Sequence, residues 1–265
     1  MTTEASGGAL SFRRKFAAGQ IVVGTFIKTP TIHATEILGD IGFDFVVIDE
    51  EHAPFDSQTT DLALFAARSV GVAGLVRVSS DDPSNILRVL DCGATGVLVP
   101  HVTSVEKARN IASSCRYRGG RRGYSASGRA GRYGASKVWA HVDAQDSQTT
   151  VIAMIEDPEA VENIDAIAAV EGIDGFFIGR GDLTVAYGAS ASDAPEIIEA
   201  VSRIIKAARA VGKPVCVMVR AVDEAKGFHG MGATAFIVST DQGFMRAAAT
   251  KTLNEFAAAI PHSAE

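Results

Sequence analysis

The sequence contains little cysteine, no long apolar run and no linker-like stretch, and each shortage excludes a class of protein. The chain has 265 residues and three cysteines, Cys92, Cys115 and Cys216. Their odd number and wide spacing argue against a disulfide framework, and without a CxxC pair the pattern of a zinc finger is missing. The apolar runs fall far short of the ~20 residues that a membrane helix needs. No proline- or serine-rich segment divides the chain, so we expect one domain over 1–265.

Net charge and composition narrow the function classes further. The formal net charge is -6 at pH 7, which argues against a general affinity for nucleic acid. The N-terminal residues include no apolar stretch of the signal-peptide kind. With 47% hydrophobic and 21% charged residues, the composition is that of an ordinary soluble protein with a sizeable core. We therefore expect a cytoplasmic protein that binds neither membrane nor nucleic acid.

Short apolar runs rich in β-branched residues recur along the chain. They lack the strict alternation of half-exposed strands, as expected when both faces of a parallel sheet are buried. Stretches with helical spacing lie between them, and several end near a glycine that suits a helix C-cap. Strands are predicted at 21–26, 45–48, 74–78, 96–99, 151–155, 175–178, 214–219 and 235–238. Helices are predicted at 31–41, 58–70, 83–92, 104–115, 158–170, 194–211, 221–231 and 243–259.

This alternation predicts an α/β protein, a single-domain (β/α)8 TIM-type barrel. An open doubly wound sheet is the structural alternative. One arginine- and glycine-rich excursion, at about 116–148, interrupts the alternation between the fourth and fifth predicted strands. We interpret it as an excursion within one domain.

Polar residues follow several predicted strands, where the strand ends of such a barrel meet at one mouth. Asp49 and His52 follow the second strand, Arg77 the third, Glu156 the fifth and Asp182 the sixth. Two carboxylates ending adjacent parallel strands can face one ion of the Mg²⁺ or Mn²⁺ type. A buried guanidinium needs an anionic or polar partner. Singly, these residues are equally typical of capped turns, helix starts and structural ion pairs.

Six separated blocks, in order, resemble the signature blocks of the HpcH/HpaI class II aldolases. They are GFDFVVIDEEHAP, LVRV, GVLVPHV, RYRGGRRGYS, AMIED and GIDGFFIGRGDL. The resemblance extends from about residue 24 to residue 248. It implies a divalent-metal-dependent aldolase that reversibly cleaves 4-hydroxy-2-oxo acids to pyruvate and an aldehyde, through a pyruvate enolate stabilised by the metal.

The resemblance also implies a role for each matching residue. Glu156 and Asp182 would ligate the metal, which is Mg²⁺ or Mn²⁺, with Co²⁺ as a further candidate. Arg77 would contact the oxo group of pyruvate. His52 and Asp49 would form the acid–base pair, with Asp49 fixing the orientation of the imidazole.

Further positions bear on substrate binding. The backbone at Gly181 and Asp182 would receive the pyruvate carboxylate, because amide groups point outward where a helix begins. Met154 stands where many family members carry glutamine, and Arg180 stands where proline is common. We interpret both departures as changes in substrate specificity, since methionine cannot donate a hydrogen bond and arginine adds a charge beside the pocket.

Other residues are open to more than one interpretation. Arg122 and Tyr124 of the excursion are predicted to line the mouth, although a subunit contact and RNA binding also fit the arginine-rich composition. We interpret Lys28, which follows the first strand, as a solvated loop residue. His101 follows the fourth strand and is equally consistent with supporting the site and with a structural role.

Two other functions remain open. A CoA-ester lyase of the citrate lyase β-subunit type would share the barrel and its metal site, but the pairing of Asp49 with His52 favours the aldolase. A catalytically silent metabolite-binding barrel would fit the departures at Met154 and Arg180. The resemblance also implies a homo-oligomer, with a hexamer as the expected size.

Overall fold

Eight parallel strands close into a barrel in a computed structural model that describes residues 7–260. Each strand pairs with the next along the chain, and the last pairs with the first. The predicted (β/α)8 barrel is therefore confirmed, and the open sheet is wrong. The predicted domain bounds include 1–6 and 261–265, which lie outside the described residues. The strands are β1 (Val22–Ile27), β2 (Phe45–Asp49), β3 (Ala73–Arg77), β4 (Gly96–Val99), β5 (Thr150–Ile155), β6 (Gly175–Ile178), β7 (Val215–Val219) and β8 (Ala235–Thr240).

Helices surround the barrel, and most lie where the spacing of apolar residues predicts them. The predicted helix at 158–170 is divided into two short helices at Asn163. Three helices lie outside the predicted ranges: the first, one inside the excursion and one directly after β6, where only a helix start near Gly181 was expected. The helices are α1 (Gly7–Ala17), α2 (Ile32–Ile41), α3 (Ser57–Ser69), α4 (Pro83–Asp91), α5 (Val105–Ser114), α6 (Val138–Gln148), α7 (Pro158–Glu162), α8 (Ile164–Ala168), α9 (Arg180–Tyr187), α10 (Pro195–Ala210), α11 (Val222–Met231) and α12 (Asp241–Ala259).

The N-terminal end of the barrel is closed by aromatic side chains of α1. Phe12 and Phe16 are buried and stack on each other with ring centroids 5.6 Å apart, and Phe12 also packs on Phe45 of β2. A Cβ at Gly175 would lie 2.6 Å from the ring of Phe16, so the start of β6 needs glycine there. Burying each phenylalanine contributes roughly 1.5–3 kcal/mol. With this end filled, the opposite end is left as the mouth.

Helix α12 differs from the other long helices because most of it faces solvent. Its first turn is held to the barrel, and Phe244 packs against the apolar cluster beneath α2. Beyond that turn, Met245, Leu253 and Phe256 are each more than three-fifths exposed. Among the helices between residues 7 and 260, none combines the length with the apolar character that a membrane crossing requires.

Candidate active site

Asp49 and Arg77 occupy the centre of the mouth that the carboxyl ends of the strands form. They are the last residues of β2 and β3, and they lie side by side in the register of the two strands. The guanidinium donates from Nε to Asp49 Oδ1 at 2.9 Å and from Nη2 to Oδ2 at 2.7 Å. Both side chains are buried. Such a bidentate pair fixes the plane of the guanidinium.

The carboxylate of Asp49 accepts hydrogen bonds from more than Arg77. Its Oδ1 also accepts from the backbone N–H of Glu51 at 3.3 Å and of His52 at 3.1 Å, and Lys28 Nζ lies 2.9 Å from Oδ2. Burial alone would raise the pKa of Asp49, but the hydrogen bonds and positive charge of Arg77, followed by Lys28 and the His52 amide, lower it to about 2. Asp49 is thus a fixed anion.

The role predicted for Asp49 toward His52 is corrected by these contacts. Asp49 holds the main-chain amide of His52 and not its imidazole, because the chain bends back directly after β2. The imidazole is 56% exposed, and its Nε2 lies 3.8 Å from Glu51 Oε2. His52 therefore faces the mouth with one ring nitrogen near Glu51.

Arg77 also contacts groups on its other side. Its Nη1 lies 3.2 Å from Glu51 Oε2, and its guanidinium carbon lies 4.8 Å from the centre of the Phe26 ring. The ring and the two carboxylates hold the side chain in one place and exclude water from part of it. A fixed cation of this kind can stabilise a negative charge that develops nearby without first reorganising.

Glu156 and Asp182 bring two carboxylates to the same mouth. Glu156 directly follows β5 and is buried, whereas Asp182 lies exposed in the first turn of α9. The pKa of Glu156 is raised to about 7, first by burial and then by the charges of Asp182 and Glu51, against the lowering effect of the His101 backbone N–H. That N–H donates to Glu156 Oε1 at 2.8 Å.

His101 and Gly179 hold Glu156 in this place. The backbone of His101 has a φ of 53°, which turns its N–H toward Glu156, and its Nδ1 lies 3.1 Å from Asp157 Oδ2. Burial would lower the pKa of His101, but Asp157, Glu156 and Glu51 together raise it. A Cβ at Gly179 would lie 2.5 Å from Glu156 Oε2, so only glycine leaves room for the carboxylate.

The two carboxylates fit a divalent metal ion, although side chains alone do not complete a site. Within residues 7–260, no group of three or more His, Cys, Asp or Glu side chains is close enough together to hold a metal. Oxygen ligands from one or two carboxylates, with substrate and water in the remaining positions, are typical of Mg²⁺ sites. The raised pKa of Glu156 also fits, because a cation would compensate the buried charge.

The first turn of α9 presents backbone amides at the mouth. Gly179 precedes the helix and provides no side-chain cap, so the first amides keep no partner within the helix. At Gly181, a Cβ would meet no atom within 4 Å, so the space beside the backbone is open. This turn can receive a carboxylate.

The two departures from the family pattern lie in different surroundings. Met154, in β5, is buried in the apolar cluster inside the barrel together with Phe177 of β6. Arg180 lies between α9, β7 and α11. It donates to the carbonyl of Met218 at 2.7 Å and pairs with Glu224 at 2.8 Å. These contacts hold the guanidinium to the chain itself, and the contact of Arg180 with substrate stays a prediction.

Arg122 and Tyr124 lie at the opposite end of the barrel from Glu156. The buried guanidinium of Arg122 donates to Asp91 at 3.1 Å, and Tyr124 packs against Tyr117. Asp91 is the last residue of α4, and a helix that follows a barrel strand runs back to the N-terminal end. The prediction that Arg122 and Tyr124 line the mouth of their own chain is wrong, because the excursion follows helix α5 and not strand β4.

Three residues at the mouth make contacts that the sequence did not predict. Lys28 is not a solvated loop residue but a partner of Asp49. Glu51 contacts Arg77, and its Oε1 lies 3.9 Å from His101 Nε2. They follow the ends of strands β1, β2 and β4 by one or two residues, which is the signal that could have identified them.

Comparison with known proteins agrees with this geometry. The family model described as HpcH/HpaI aldolase/citrate lyase matches residues 23–248. The chain belongs to this family. A 5-keto-4-deoxy-D-glucarate aldolase from Enterobacter sp. (strain 638) is 36% identical over 247 residues, which are 92% of this chain and 96% of that protein. The predicted family and the predicted class of enzyme, a carbon–carbon lyase of the aldolase type, are confirmed.

Solved structures share the barrel over nearly its whole length. An HpcH/HpaI aldolase/citrate lyase family protein from Burkholderia cenocepacia J2315 has a TM-score of 0.87 and 25% identity, covering 92% of this chain and 98% of its own. The citrate synthase SbnG has a TM-score of 0.84 and 30% identity, covering 93% and 97%. Two citrate lyase structures are only 15% and 17% identical, so they show the common fold alone.

Proposed function

We propose that this aldolase reversibly cleaves 4-hydroxy-2-oxo acids into pyruvate and an aldehyde, with Mg²⁺ or Mn²⁺ as its metal and Co²⁺ as a substitute. The observation that carries the proposal is a guanidinium, Arg77, fixed by Asp49 in the mouth that also holds Glu156 and Asp182. The name of the Enterobacter relative supports a sugar-acid substrate for this chain as well.

The difficult step is breaking the bond between C3 and C4 of the substrate. Its electron pair is left on the pyruvate fragment as an enolate, whose oxygen becomes negatively charged. Glu156 and Asp182 would hold the metal, which would supply Lewis acidity to the reaction. Arg77 places a fixed positive charge at the developing oxygen. The first amides of α9, around Gly181, receive the carboxylate of the substrate.

A proton has to leave the C4 hydroxyl while that bond breaks. His52 is exposed to the mouth, and an imidazole ring nitrogen can accept a proton. We assign it as the base that takes the hydroxyl proton, so that C4 becomes the aldehyde carbon. The same proton returns to C3 of the enolate and completes pyruvate. Glu51, whose Oε2 lies 3.8 Å from His52 Nε2, replaces Asp49 as the carboxylate beside the imidazole.

Identifying the products of cleavage tests the proposal. The protein is incubated with 4-hydroxy-2-oxo acids and with Mg²⁺, Mn²⁺ or Co²⁺, and pyruvate and aldehyde are quantified. We expect equal amounts of both and no turnover after exhaustive chelation. Cleavage of a 3-hydroxyacyl-CoA ester instead would favour the CoA-ester lyase. Binding of pyruvate without any turnover would favour a silent metabolite-binding barrel.

We also propose that the protein forms a homo-oligomer, with a hexamer as the expected size. The exposed residues Met245, Leu253 and Phe256 recur at helical spacing along one side of α12, and the exposed Ile260 directly follows the helix. An uncovered apolar stripe of this length suits burial against a second copy of the chain. Light scattering of the wild type and of Leu253→Glu tests this. A monomeric wild type would contradict it.

We further propose that the arginine-rich excursion does not bind nucleic acid and that the protein works in the cytoplasm. Four arginines of the excursion form ion pairs with aspartates of this chain. The pairs are Arg116 with Asp174, Arg118 with Asp143, Arg122 with Asp91, and Arg129 with Asp61. Filter binding at physiological salt tests the first point, since salt-resistant affinity for RNA would contradict it. Fractionation of cells that express the protein tests the second.

A further inference from the structure

Lys28 is held at the mouth by both its main chain and its side chain. It directly follows β1, and its backbone N–H donates to Asp241 Oδ1 at 2.8 Å, while that of Thr29 donates to Oδ2 at 3.0 Å. Asp241 is buried at the start of α12. The side chain of Lys28 is only 24% exposed and reaches Asp49 Oδ2 at 2.9 Å. The ammonium group is therefore directed into the site.

One carboxylate oxygen of Asp49 contacts two positively charged side chains. Oδ2 accepts from Lys28 Nζ and from Arg77 Nη2, which lie 2.9 Å and 2.7 Å away. Glu51 is the second carboxylate on Arg77. Two positive side chains thus face two negative ones, and this group of four is formally neutral. Without Lys28 it would carry one net negative charge, and Arg77 would be screened by two carboxylates.

Net negative charge at this place opposes binding of an anionic substrate. The group is largely buried, so its charges are screened less than they would be at an open surface. We propose that Lys28 is a positioning residue, which shares the carboxylate of Asp49 with Arg77 and so keeps the positive charge of Arg77 available to the substrate anion. This rests on the proposed function, because it assumes that Arg77 faces pyruvate.

The experiment compares Lys28 with Lys15, because their aspartate partners, Asp49 and Asp44, lie at the two ends of β2. Lys28→Met removes the partner of Asp49 at the mouth. Lys15→Met removes the partner of Asp44, which lies 2.8 Å from Lys15 Nζ at the N-terminal end of the same strand. Binding of oxalate, a stable dianion resembling the pyruvate enolate, is measured by calorimetry on the Mn²⁺-loaded protein. The kcat and KM for cleavage are measured alongside.

We expect Lys28→Met to weaken oxalate binding about tenfold, and to lower kcat/KM by a similar factor, mainly through KM. Lys28→Arg should restore most of both, because the charge returns. Lys15→Met should bind oxalate within about twofold of the wild type, whatever happens to its unfolding temperature. The proposal would be overturned if Lys28→Met bound oxalate as tightly as the wild type. This test needs only these two proteins, so it can be made even if other variants fail to fold.

A double-mutant cycle with Asp49→Asn separates positioning from direct contact. If Lys28 acts through Asp49, the tenfold effect of Lys28→Met shrinks to about twofold or less when Asp49 is already uncharged. If the full effect persists in that background, Lys28 binds the ligand directly and the positioning role is wrong. A wild type that binds neither oxalate nor pyruvate contradicts the proposed function itself, which is a different and recognisable outcome.

Discussion

Two aspartates at opposite ends of the barrel have almost the same set of partners. Asp49, at the mouth, accepts from two basic side chains and from backbone amides that follow β2. Asp174, just before β6 at the N-terminal end, accepts from Arg13 at 2.6 Å, from Arg116 at 3.0 Å and from the backbone N–H of Val151 at 2.8 Å. Both carboxylates are therefore saturated.

The difference lies in what surrounds each cluster. Around Asp174, the arginines tie α1 and the excursion to the barrel. At the mouth, Arg77 also forms an ion pair with Glu51. Within residues 7–260, no lysine or arginine forms an ion pair with Glu156 or Asp182. The excess of carboxylate indicates where a cation is needed. Uncompensated charge, and not the number of arginines, therefore distinguishes the functional end of this barrel.

The largest effect is expected from Glu156→Gln. This change keeps the shape of the side chain and removes the charge that the mouth leaves uncompensated. We expect the rate of metal-dependent cleavage to fall on the order of a thousandfold, because the transition state loses several kcal/mol of stabilisation. Steady-state kinetics with saturating Mn²⁺ measures this, with circular dichroism as the control for folding. Activity within tenfold of the wild type would remove Glu156 from the proposed metal site.

Exchanging each of the two aspartates for asparagine tests the comparison directly. Asp49→Asn should lower kcat/KM about a hundredfold, because the plane of the Arg77 guanidinium is released. Asp174→Asn should leave the kinetics of the folded protein within about threefold, but should cost roughly 2–4 kcal/mol in the free energy of unfolding, since two partly buried arginines lose a partner. Chemical denaturation and kinetics on both variants measure this. The opposite pattern would reverse the assignment of the two ends.

Metal binding should depend on pH through Glu156. Its pKa in the folded protein is raised to about 7 from 4.5. Without a metal, ionising Glu156 therefore destabilises the fold, and the free energy of unfolding falls as the pH rises from about 4.5 through 7. Metal binding requires that charged form. Calorimetric titration with Mn²⁺ should therefore show affinity falling about tenfold per pH unit below pH 7 and levelling off above it. In Glu156→Gln this dependence should disappear.

The smallest kinetic effect is expected at Arg180. Because its guanidinium joins α9 to Glu224 and Met218, Arg180→Met should lower the unfolding temperature by a few degrees, roughly 1–2 kcal/mol. The KM for the oxo acid should stay within about threefold. Calorimetric scanning and kinetics measure these quantities. A tenfold change in KM at unchanged stability would instead indicate that Arg180 contacts the substrate.

The barrel could be predicted because its causes are local in the sequence. Buried parallel strands need continuous apolar runs, and helix ends need residues such as Gly42, whose φ is 107°. The spacing of apolar residues did not predict the extents of α6 and α9, for physical reasons. The first has no continuous apolar face, and the second starts within two residues of β6 and reads as a loop.

The sequence predicted which residues lie at the candidate site, but not which of their atoms are in contact. Strand ends converge in a barrel, which brings Asp49, Arg77 and Glu156 to one mouth. Which atoms meet depends on the bend after β2, and that bend turns the amide of His52 toward Asp49 in place of its ring. The place of Arg122 depends on whether its segment follows a strand or a helix, which spacing alone did not resolve.

Proton exchange at the methyl group of pyruvate tests the central claim most directly, because it needs the enolate but no aldehyde. The wild type is incubated with pyruvate in D₂O, with Mn²⁺ or with excess chelator, and deuterium incorporation is followed by NMR. We predict exchange that requires the metal and is lost in Glu156→Gln and strongly reduced in Asp49→Asn. Exchange that persists at the full rate in the presence of chelator, or in Glu156→Gln, would contradict the account.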